Sequence, residues 1–155
     1  MLDPHYITGF VDGEGCFAIT ISRKRFKVAE VRLKFEIELR EDDESILKDI
    51  QMTLDCGSIH RLDYKRYKKW RPHVKYMVGS YKDIKEKIIP FFKKYPLQAK
   101  KKNQFEIFCT VAEMMELKKH ITEEGVEEIR SLRDVLKKRK DSLDARDEHV
   151  QWGVK

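Results

Sequence analysis

The sequence has few cysteines and no long apolar run. Its three cysteines lie far apart without CxxC spacing (Cys16, Cys56, Cys109), which argues against a disulfide framework or a zinc site and favours a reducing compartment. No stretch approaches the roughly 20 apolar residues of a membrane-spanning helix. The N-terminal residues MLDPHYITGF also lack the basic region of a secretory signal. We therefore expect an intracellular protein, either in the cytoplasm or in an organelle of a eukaryotic host.

Charge is abundant and unevenly distributed along the 155 residues. Charged residues make up 39% and hydrophobic residues 41% of the chain, a balance typical of one globular domain. Residues 57–79 carry seven Lys or Arg against one Asp, and residues 82–102 carry eight against two acids, so that each segment has a net charge of +6. This clustering indicates a polyanionic partner. A lysine-rich surface that merely faces water is the alternative.

The N-terminal half predicts a helix followed by two pairs of strands with a helix between them. Asp3 and Pro4 are typical of a helix start, and Gly15 of a stop after about Glu14. Alternation of apolar and polar residues predicts strands over 16–23 and 31–40, then over 58–67 and 70–79. The segment REDDESILKDIQMTLDCG between the two pairs has the acidic start and apolar spacing of a helix.

The C-terminal half predicts helices only. Ser80 and Asp83 form a capping box for a helix that Pro90 ends or kinks, and two amphipathic helices follow over about 103–120 and 122–140. The predicted fold is therefore of the α+β class, with an αββαββα core, an antiparallel saddle-like sheet and extra C-terminal helices. We expect a single domain over residues 1–140 and a polar tail over 141–155. Because helices must cover one face of the sheet, its charged face stays open to a ligand.

Two glycines interrupt the first predicted helix, although glycine inside a helix costs roughly 0.5–1 kcal/mol relative to alanine. Gly9 and Gly13 are four residues apart and so share one face of the helix with Tyr6 and Phe10. Such a face allows a second backbone to approach closely. Since the sequence contains this pattern once, we expect the same helix of a second subunit, in a two-fold homodimer. Packing of the glycines against the chain's own C-terminal helices is the alternative.

The same segment, ITGFVDGEG (residues 7–15), resembles the nonapeptide that names the LAGLIDADG homing endonucleases. Gly9, Asp12 and Gly15 are identical to it, and Glu14 replaces its second aspartate. The segments FEIELREDDESIL and PLQAKKKNQFEIF follow in the order that this family shows. The resemblance covers roughly residues 3–140.

The resemblance implies a site-specific DNA endonuclease, encoded by a mobile intron and used in intron homing. It implies a homodimer that cleaves both strands of a long pseudo-palindromic double-stranded target across the minor groove and leaves 3′ overhangs. The implied cofactor is Mg²⁺, with Mn²⁺ able to substitute and Ca²⁺ able to bind without turnover. A non-catalytic RNA-binding intron maturase on the same scaffold is one alternative, and a purely regulatory DNA-binding dimer is another.

The resemblance also assigns the catalytic groups. Glu14 and the backbone carbonyl of Gly13 match the positions that bind metal, and two copies of Glu14 would meet at the dimer axis. Lys100 matches the lysine that faces the scissile phosphate, with Lys101 and Lys102 as close competitors. Asp12 is expected to have a structural role at the end of the helix, and contact with the metal or its water is the alternative. Asp63, Tyr64 and Lys65 have the D-x-K order of restriction-type nucleases, a less favoured alternative because they fall in a basic hairpin tip.

The polar faces of the strands have residue types that contact base edges and phosphates. In the first pair of strands these are Thr20, Ser22, Lys24, Arg32, Lys34, Glu36, Glu38 and Arg40, and in the second pair Ser58, His60, Tyr64, Arg66, Arg71, His73, Lys75 and Met77. Basic residues at the hairpin tips are expected to hold the DNA backbone: Arg25, Lys27, Lys65 and Lys68. His60 and His73 are read as donors to DNA and not as a metal pair, because nothing nearby completes a ligand set.

Overall fold

The computed structural model of the chain describes the backbone of residues 1–24, 27–63 and 71–147, and the side chains of residues 1–23, 28–63 and 71–137. Within these residues the elements follow the predicted order of one helix, two strands, a helix, two strands and further helices. The predicted α+β class and αββαββα order are therefore confirmed. None of the described helices is long and apolar enough to cross a membrane.

The elements have the following bounds. The strands are β1 (Gly15–Lys24), β2 (Lys27–Arg40), β3 (Ser58–Leu62) and β4 (His73–Val78). The helices are α1 (Pro4–Glu14), α2 (Glu44–Leu54), α3 (Tyr81–Asp83), α4 (Ile89–Lys94), α5 (Lys101–Glu116) and α6 (Glu123–Asp147). Short 3-10 turns span Glu41–Asp43 and Lys119–Ile121, and a π-helical segment spans Ile84–Ile88. α6 continues past the predicted helix end at Lys140, and β2 begins at Lys27, earlier than the predicted Val31.

The four strands form one antiparallel sheet in the order β1-β2-β4-β3. Phe17 of β1 lies opposite Phe35 of β2, and Phe35 lies opposite Val78 of β4. Alternation predicts Leu33, Phe35, Ile37 and Leu39 of β2 to face inward; the first three are buried and Leu39 is half-buried. In β4, Val74, Tyr76 and Val78 are buried, as alternation predicts. The alternating polar residues therefore face away from the helices. We call this surface the open sheet face.

Phe17 joins the sheet to the helices. Its ring lies 5.1 Å from that of Phe35, 5.4 Å from Phe92 of α4, and 5.1 and 5.3 Å from Phe105 and Phe108 of α5 (centroid distances). Burial of large aromatic rings is the main stabilising contribution available to a domain of this size. The first residues of β1 and the first turns of α5 are thus held together by this cluster of aromatic rings.

The helical segment that contains Pro90 shows how the chain accommodates a proline inside a helix. Proline has no N–H, and its ring clashes with the carbonyl four residues earlier. Here the helix widens just before it, since the Ile89 N–H donates to the carbonyl of Ile84, five residues back. The expected break at Pro90 is therefore a π-helical segment through which the chain continues into α4.

Candidate nucleic-acid interface and catalytic centre

One side of α1 is not packed against the chain. Ile7, Thr8 and Val11 are buried, whereas a β-carbon built at Gly9 or Gly13 would meet no atom within 4 Å. The rings of Tyr6 and Phe10 lie 6.2 Å apart; Tyr6 is 51% exposed, whereas Phe10 is half-buried and partly packs against the core. No described part of the chain, its C-terminal helices included, packs against these glycines. We refer to Tyr6, Gly9, Phe10 and Gly13 as the open face of α1.

α1 ends at Glu14 and β1 begins at the next residue, Gly15. The Gly15 N–H still donates to the carbonyl of Val11, one turn back. In a continued helix the Phe17 N–H would donate to Gly13, but here it donates to Oε1 of Gln104 at 3.2 Å. The carbonyl of Gly13 therefore lacks that helical partner.

Glu14 and Gly13 together offer oxygen ligands at the end of α1. The Glu14 side chain is exposed and makes no hydrogen bond or ion pair with any described residue. A carboxylate and a backbone carbonyl are hard oxygen ligands that suit Mg²⁺, although they are fewer than its octahedral shell requires. Among the residues whose side chains are described, no three His, Cys, Asp or Glu side chains form a group that could hold a metal ion. The donor chemistry fits Mg²⁺ provided that further ligands come from outside these residues.

Asp12 has a structural role at the end of the helix, in agreement with the sequence. Its Oδ2 accepts the N–H of Gln98 at 2.9 Å, and its Oδ1 accepts the N–H of Ala99 at 3.1 Å. One turn earlier, Oγ1 of Thr8 donates to the carbonyl of Tyr95 at 2.9 Å. α1 therefore holds the chain segment that leads into the three consecutive lysines.

The three lysines at the start of α5 differ in their surroundings. Lys100 precedes the helix and is exposed, whereas Lys101, its first residue, is half-buried. Lys102 is exposed and lines a groove of about 420 Å³ with Phe92 and Pro96. Lys101 and Gln104, three residues apart, share a face of α5, and the side chain of Gln104 contacts the start of β1. Lys101 therefore shares the face of α5 that contacts the start of β1, and the assignment of Lys100 as the active-site lysine stays a prediction.

The thiol of Cys16 gives a second indication of where Lys101 lies. Burial raises the pKa of this thiol, and the carboxylate of Glu36 raises it further. The ammonium groups of Lys101 and Lys75 act in the opposite direction, so both lie near Cys16. Since Cys16 follows Glu14 by two residues, Lys101 approaches the α1–β1 junction where the open sheet face begins.

The open sheet face carries the predicted DNA-contacting residues in register. Thr20 lies opposite Arg32, Glu38 opposite Lys75, and Arg40 opposite His73. One row crosses all four strands, through Cys16, Glu36, Met77 and Ser58. Thr20, Ser22, Arg32, Arg40, Ser58, His60 and Arg71 are exposed, and Lys34, Glu36, Glu38, His73, Lys75 and Met77 are half-buried. All thirteen predicted residues with described side chains are therefore at least partly exposed to solvent.

Several of these side chains already have partners in the chain. Nζ of Lys75 lies 3.9 Å from Oε2 of Glu36, and Oγ of Ser58 is 2.8 Å from Nε2 of His60. Arg32 pairs with Glu30 at 3.0 Å. Glu30 and Cys16 were not among the predicted site residues, although the same alternation that identified their neighbours places both on this face. A nucleic acid bound here would compete with these pairs or use them as fixed donors and acceptors.

Some predicted residues lie outside the description. The backbone of Lys24 and Lys27 belongs to β1 and β2, but their side chains are not described. Arg25, Tyr64, Lys65, Arg66 and Lys68 lie entirely outside the described residues, and so does most of the D-x-K segment. Such a site would need a second carboxylate, and the sequence offers Asp55 at a helix end as a poor candidate; Asp55 forms an ion pair with Lys87 at 3.1 Å.

Comparison with known proteins agrees with this arrangement. The family model described as LAGLIDADG endonuclease matches residues 7–112. A probable intron-encoded endonuclease 2 from Neurospora crassa is 36% identical over 131 residues, which cover 83% of this chain and 28% of that protein. The chain thus spans less than a third of the length of that relative.

Solved structures show the same fold. The meganuclease I-SmaMI bound to uncleaveable DNA matches with a TM-score of 0.78 and 33% identity, over 85% of this chain and 44% of that one. I-SmaMI bound to uncleaved DNA target in the presence of calcium ions matches with a TM-score of 0.77 and 31% identity, over the same shares of the two chains. The family model covers more than half of the chain, and its match begins in α1 at residue 7, the first residue of the motif that contains Glu14. The chain therefore belongs to the LAGLIDADG endonuclease family.

Proposed function

We propose that this chain is a site-specific double-strand DNA endonuclease that acts as a homodimer with a divalent metal. It cleaves a long pseudo-palindromic target and leaves 3′ overhangs. One observation carries the proposal: α1 has an unpacked glycine face that ends in an exposed carboxylate without a partner among the described residues. Family membership and relatives whose structures contain DNA support the same activity.

The open face of α1 suits a second helix of the same kind. Gly9 and Gly13 leave space for a neighbouring backbone, while Tyr6 and Phe10 provide apolar contact area beside them. A two-fold axis along this face would make the contact self-complementary. This chain covers only 44% of the I-SmaMI chain, so a second unit within a longer chain could supply the helix instead. We propose a second copy, because the described chain has this face once.

A pair of such helices would bring two Glu14 carboxylates and two Gly13 carbonyls together. Two crowded carboxylates repel each other unless cations lie between them, and Mg²⁺ would complete its shell there with water and phosphate oxygens. Bound metal ions of this kind activate water and stabilise the leaving oxygen of a phosphodiester. We propose Mg²⁺ as the working ion, Mn²⁺ as a substitute and Ca²⁺ as an ion that binds without turnover. An I-SmaMI complex with uncleaved DNA and calcium supports a metal requirement in general.

Lys101 is the second catalytic residue that we propose. Its position at the start of α5, near Cys16, supports this role, because Cys16 follows Glu14 by only two residues. A positive charge placed in advance stabilises the negative charge that develops on the phosphate during cleavage. Lys100 is the remaining candidate for this role, since it precedes Lys101 on the same tethered segment.

The open sheet face would supply recognition. Its rows of Arg, Lys, Glu, His, Thr and Ser carry donors and acceptors suited to base edges, and its cations suit phosphates. β1 and β2, of 10 and 14 residues, span roughly 30–45 Å at about 3.3 Å per residue. This length is comparable to about ten base pairs, a half-site for one subunit.

A cleavage screen on a library of randomised duplexes, in Mg²⁺, tests the proposal. We expect wild-type protein to enrich one pseudo-palindromic sequence among the cut products, with 3′ overhangs in the sequenced ends. Glu14→Gln should abolish cutting while DNA binding persists, and Glu128→Gln on the exposed side of α6 should cut normally. Sequence-specific binding without nicking in Mg²⁺ or Mn²⁺ would indicate a regulatory dimer. Tight binding of structured RNA without DNA cleavage would indicate a maturase.

The intron-encoded description of the Neurospora crassa relative supports one further proposal. We propose that this chain is also encoded by a mobile intron and acts in intron homing. A host gene that lacks the intron should then contain the enriched target sequence at the insertion point.

A further inference from the structure

The segment that carries the lysines is attached to the α1–β1 junction on both sides. Before the lysines, both oxygens of the Asp12 carboxylate accept backbone amides, those of Gln98 at 2.9 Å and Ala99 at 3.1 Å. After them, Oε1 of Gln104 accepts the Phe17 N–H at 3.2 Å. Asp12 precedes Glu14 by two residues, and Phe17 follows it by three. The carboxylate proposed to bind metal therefore sits between the two anchor points.

One face of α1 follows the connection from α4 to α5. The ring of His5 packs edge-on against Tyr95, with centroids 5.2 Å apart. Thr8, one turn further, is 3% exposed and donates to the Tyr95 carbonyl. Asp12, another turn on, holds Gln98 and Ala99. Of these three contacts, that of Asp12 lies closest in sequence to the lysines. It is also the contact in which a carboxylate accepts two hydrogen bonds, and hydrogen bonds to a charged group are stronger than those between neutral groups.

We propose that Asp12 is a positioning residue that sets the distance between the Glu14 carboxylate and the lysine of the active site. This inference rests on the proposed nuclease function and deepens it. Because both oxygens of Asp12 accept backbone amides, it acts through the 98–101 backbone. Lys101 begins α5 two residues after Ala99, so the register of this anchor decides which of the three lysines enters the helix facing Glu14.

Kinetics can separate positioning from folding. In single-turnover cleavage, Asp12→Ala is expected to slow the cutting step about 10- to 100-fold, since a displacement of about 1 Å costs rates of that order. The dissociation constant for DNA, measured in Ca²⁺, should change less than about threefold. In a Lys101→Met background the same Asp12→Ala change should slow cutting less than about threefold, because residues that act as a unit are not additive. If the double variant is instead slowed by the product of the two single-variant factors, the proposal is overturned.

Amide exchange gives a readout that does not depend on activity. In the intact free protein, hydrogen–deuterium exchange of the peptide covering residues 96–104 should accelerate at least tenfold in Asp12→Ala, with the peptides of β2 and β4 unchanged. Asp12→Asn, which keeps one acceptor oxygen, should fall between wild type and Asp12→Ala in exchange and in rate. Asp55→Asn is the matched control and should cut at the wild-type rate. It removes another carboxylate, which lies just beyond a helix end and makes an ion pair with Lys87.

The outcomes separate this proposal from the proposed function. Unchanged exchange and cutting in Asp12→Ala, with active wild-type protein, would overturn the positioning role alone. A tenfold rise in the Mg²⁺ concentration needed by Asp12→Asn, with unchanged exchange, would make Asp12 a metal ligand and also overturn it. Wild-type protein that cuts no DNA in Mg²⁺ or Mn²⁺ would overturn both proposals.

Discussion

Three adjacent lysines at the start of α5 have the same chemistry but different surroundings. Lys101 is half-buried and lies near Cys16, Lys102 faces the groove beside Phe92, and Lys100 stands before the helix in solvent. A cation next to a low-dielectric surface interacts more strongly with a phosphate than one in bulk water does. The side chain at position 101 should therefore contribute most to catalysis.

We predict that Lys101→Met lowers the single-turnover cleavage rate about 10²- to 10³-fold, the size of effect expected when one stabilising group is removed from a reacting oxygen. Lys102→Met, the matched control, should change the rate less than about threefold. Lys100→Met should fall between the two. If Lys100→Met proves the more damaging substitution, the original assignment from the sequence is right and the register inferred for α5 is wrong.

Residue assignments near the lysines could be predicted only in part. The family signature gave Glu14 and Gly13 their predicted roles, and alternation placed Thr20, Arg32 and their neighbours on one face. The choice among the lysines depends on where α5 begins. Just before that start, Asp12 accepts hydrogen bonds from the backbone of Gln98 and Ala99, more than eighty residues away. Local sequence carries no signal for a contact of that range.

At the scale of elements, α1 combines a buried side with an open one. The buried side packs under the sheet and holds the 95–99 connection, while the open face keeps two glycines that cost helix stability. Nothing within the described chain requires glycine at either position, because a β-carbon would fit at both. We propose that a partner helix is what requires small residues here.

We predict that Gly9→Leu prevents self-association without unfolding the chain. Sedimentation equilibrium should show wild-type protein as a dimer and the variant as a monomer. Circular dichroism should show unchanged helix content, and the isolated variant should gain about 0.5–1 kcal/mol in unfolding free energy from the better helix former. Glu128→Leu on α6 controls for nonspecific association through an added leucine and should remain dimeric. A monomeric wild type would contradict the homodimer and favour a helix from a second unit in a longer chain.

The elements themselves were more predictable than the residues between them. Strong alternation in VRLKFEIELR fixed the register of β2, and the cap at Asp3 fixed the start of α1. The extension of β2 back to Lys27 was not predicted because residues 27–30 lack the alternation of apolar and polar side chains. Their strand structure comes from pairing with β1. The π-helical segment before Pro90 was also missed, since proline alone does not tell whether a helix stops or widens.

At the scale of the whole molecule, basic charge lies on two different surfaces. The open sheet face carries Arg32, Lys34, Arg40 and Lys75, whereas much of the +6 charge of residues 82–102 lies on helices behind the sheet. There Lys85 pairs with Glu116 at 2.6 Å, and Lys87 pairs with Asp55. Hydrogen bonds from Lys85 and Tyr81 lower the pKa of Glu116. The charge profile along the sequence therefore overstates the charge available to DNA.

We predict steep salt dependence of DNA binding that originates from the sheet side only. If each protomer pair contacts 6–10 phosphates, affinity should fall about 10³- to 10⁵-fold between 50 and 200 mM salt. Arg71→Ala, at an exposed position beside β4, should reduce the slope of log Kd against log salt by about one. Lys82→Ala, on the helical side, should leave it unchanged. Equal effects of both substitutions would place DNA on a different surface.

The direct passage from Glu14 into β1 has a consequence for fidelity. β1, which would contact the bases, follows Glu14, which would help to cleave the backbone, without an intervening loop. A shift of β1 therefore also moves Glu14. A duplex with a wrong base that tilts β1 by a fraction of an ångström would still be held by its phosphates, yet it would present its backbone at a distorted angle to the cutting group. Such an enzyme would discriminate against near-matches chiefly by how fast it cuts them, and less by how tightly it holds them.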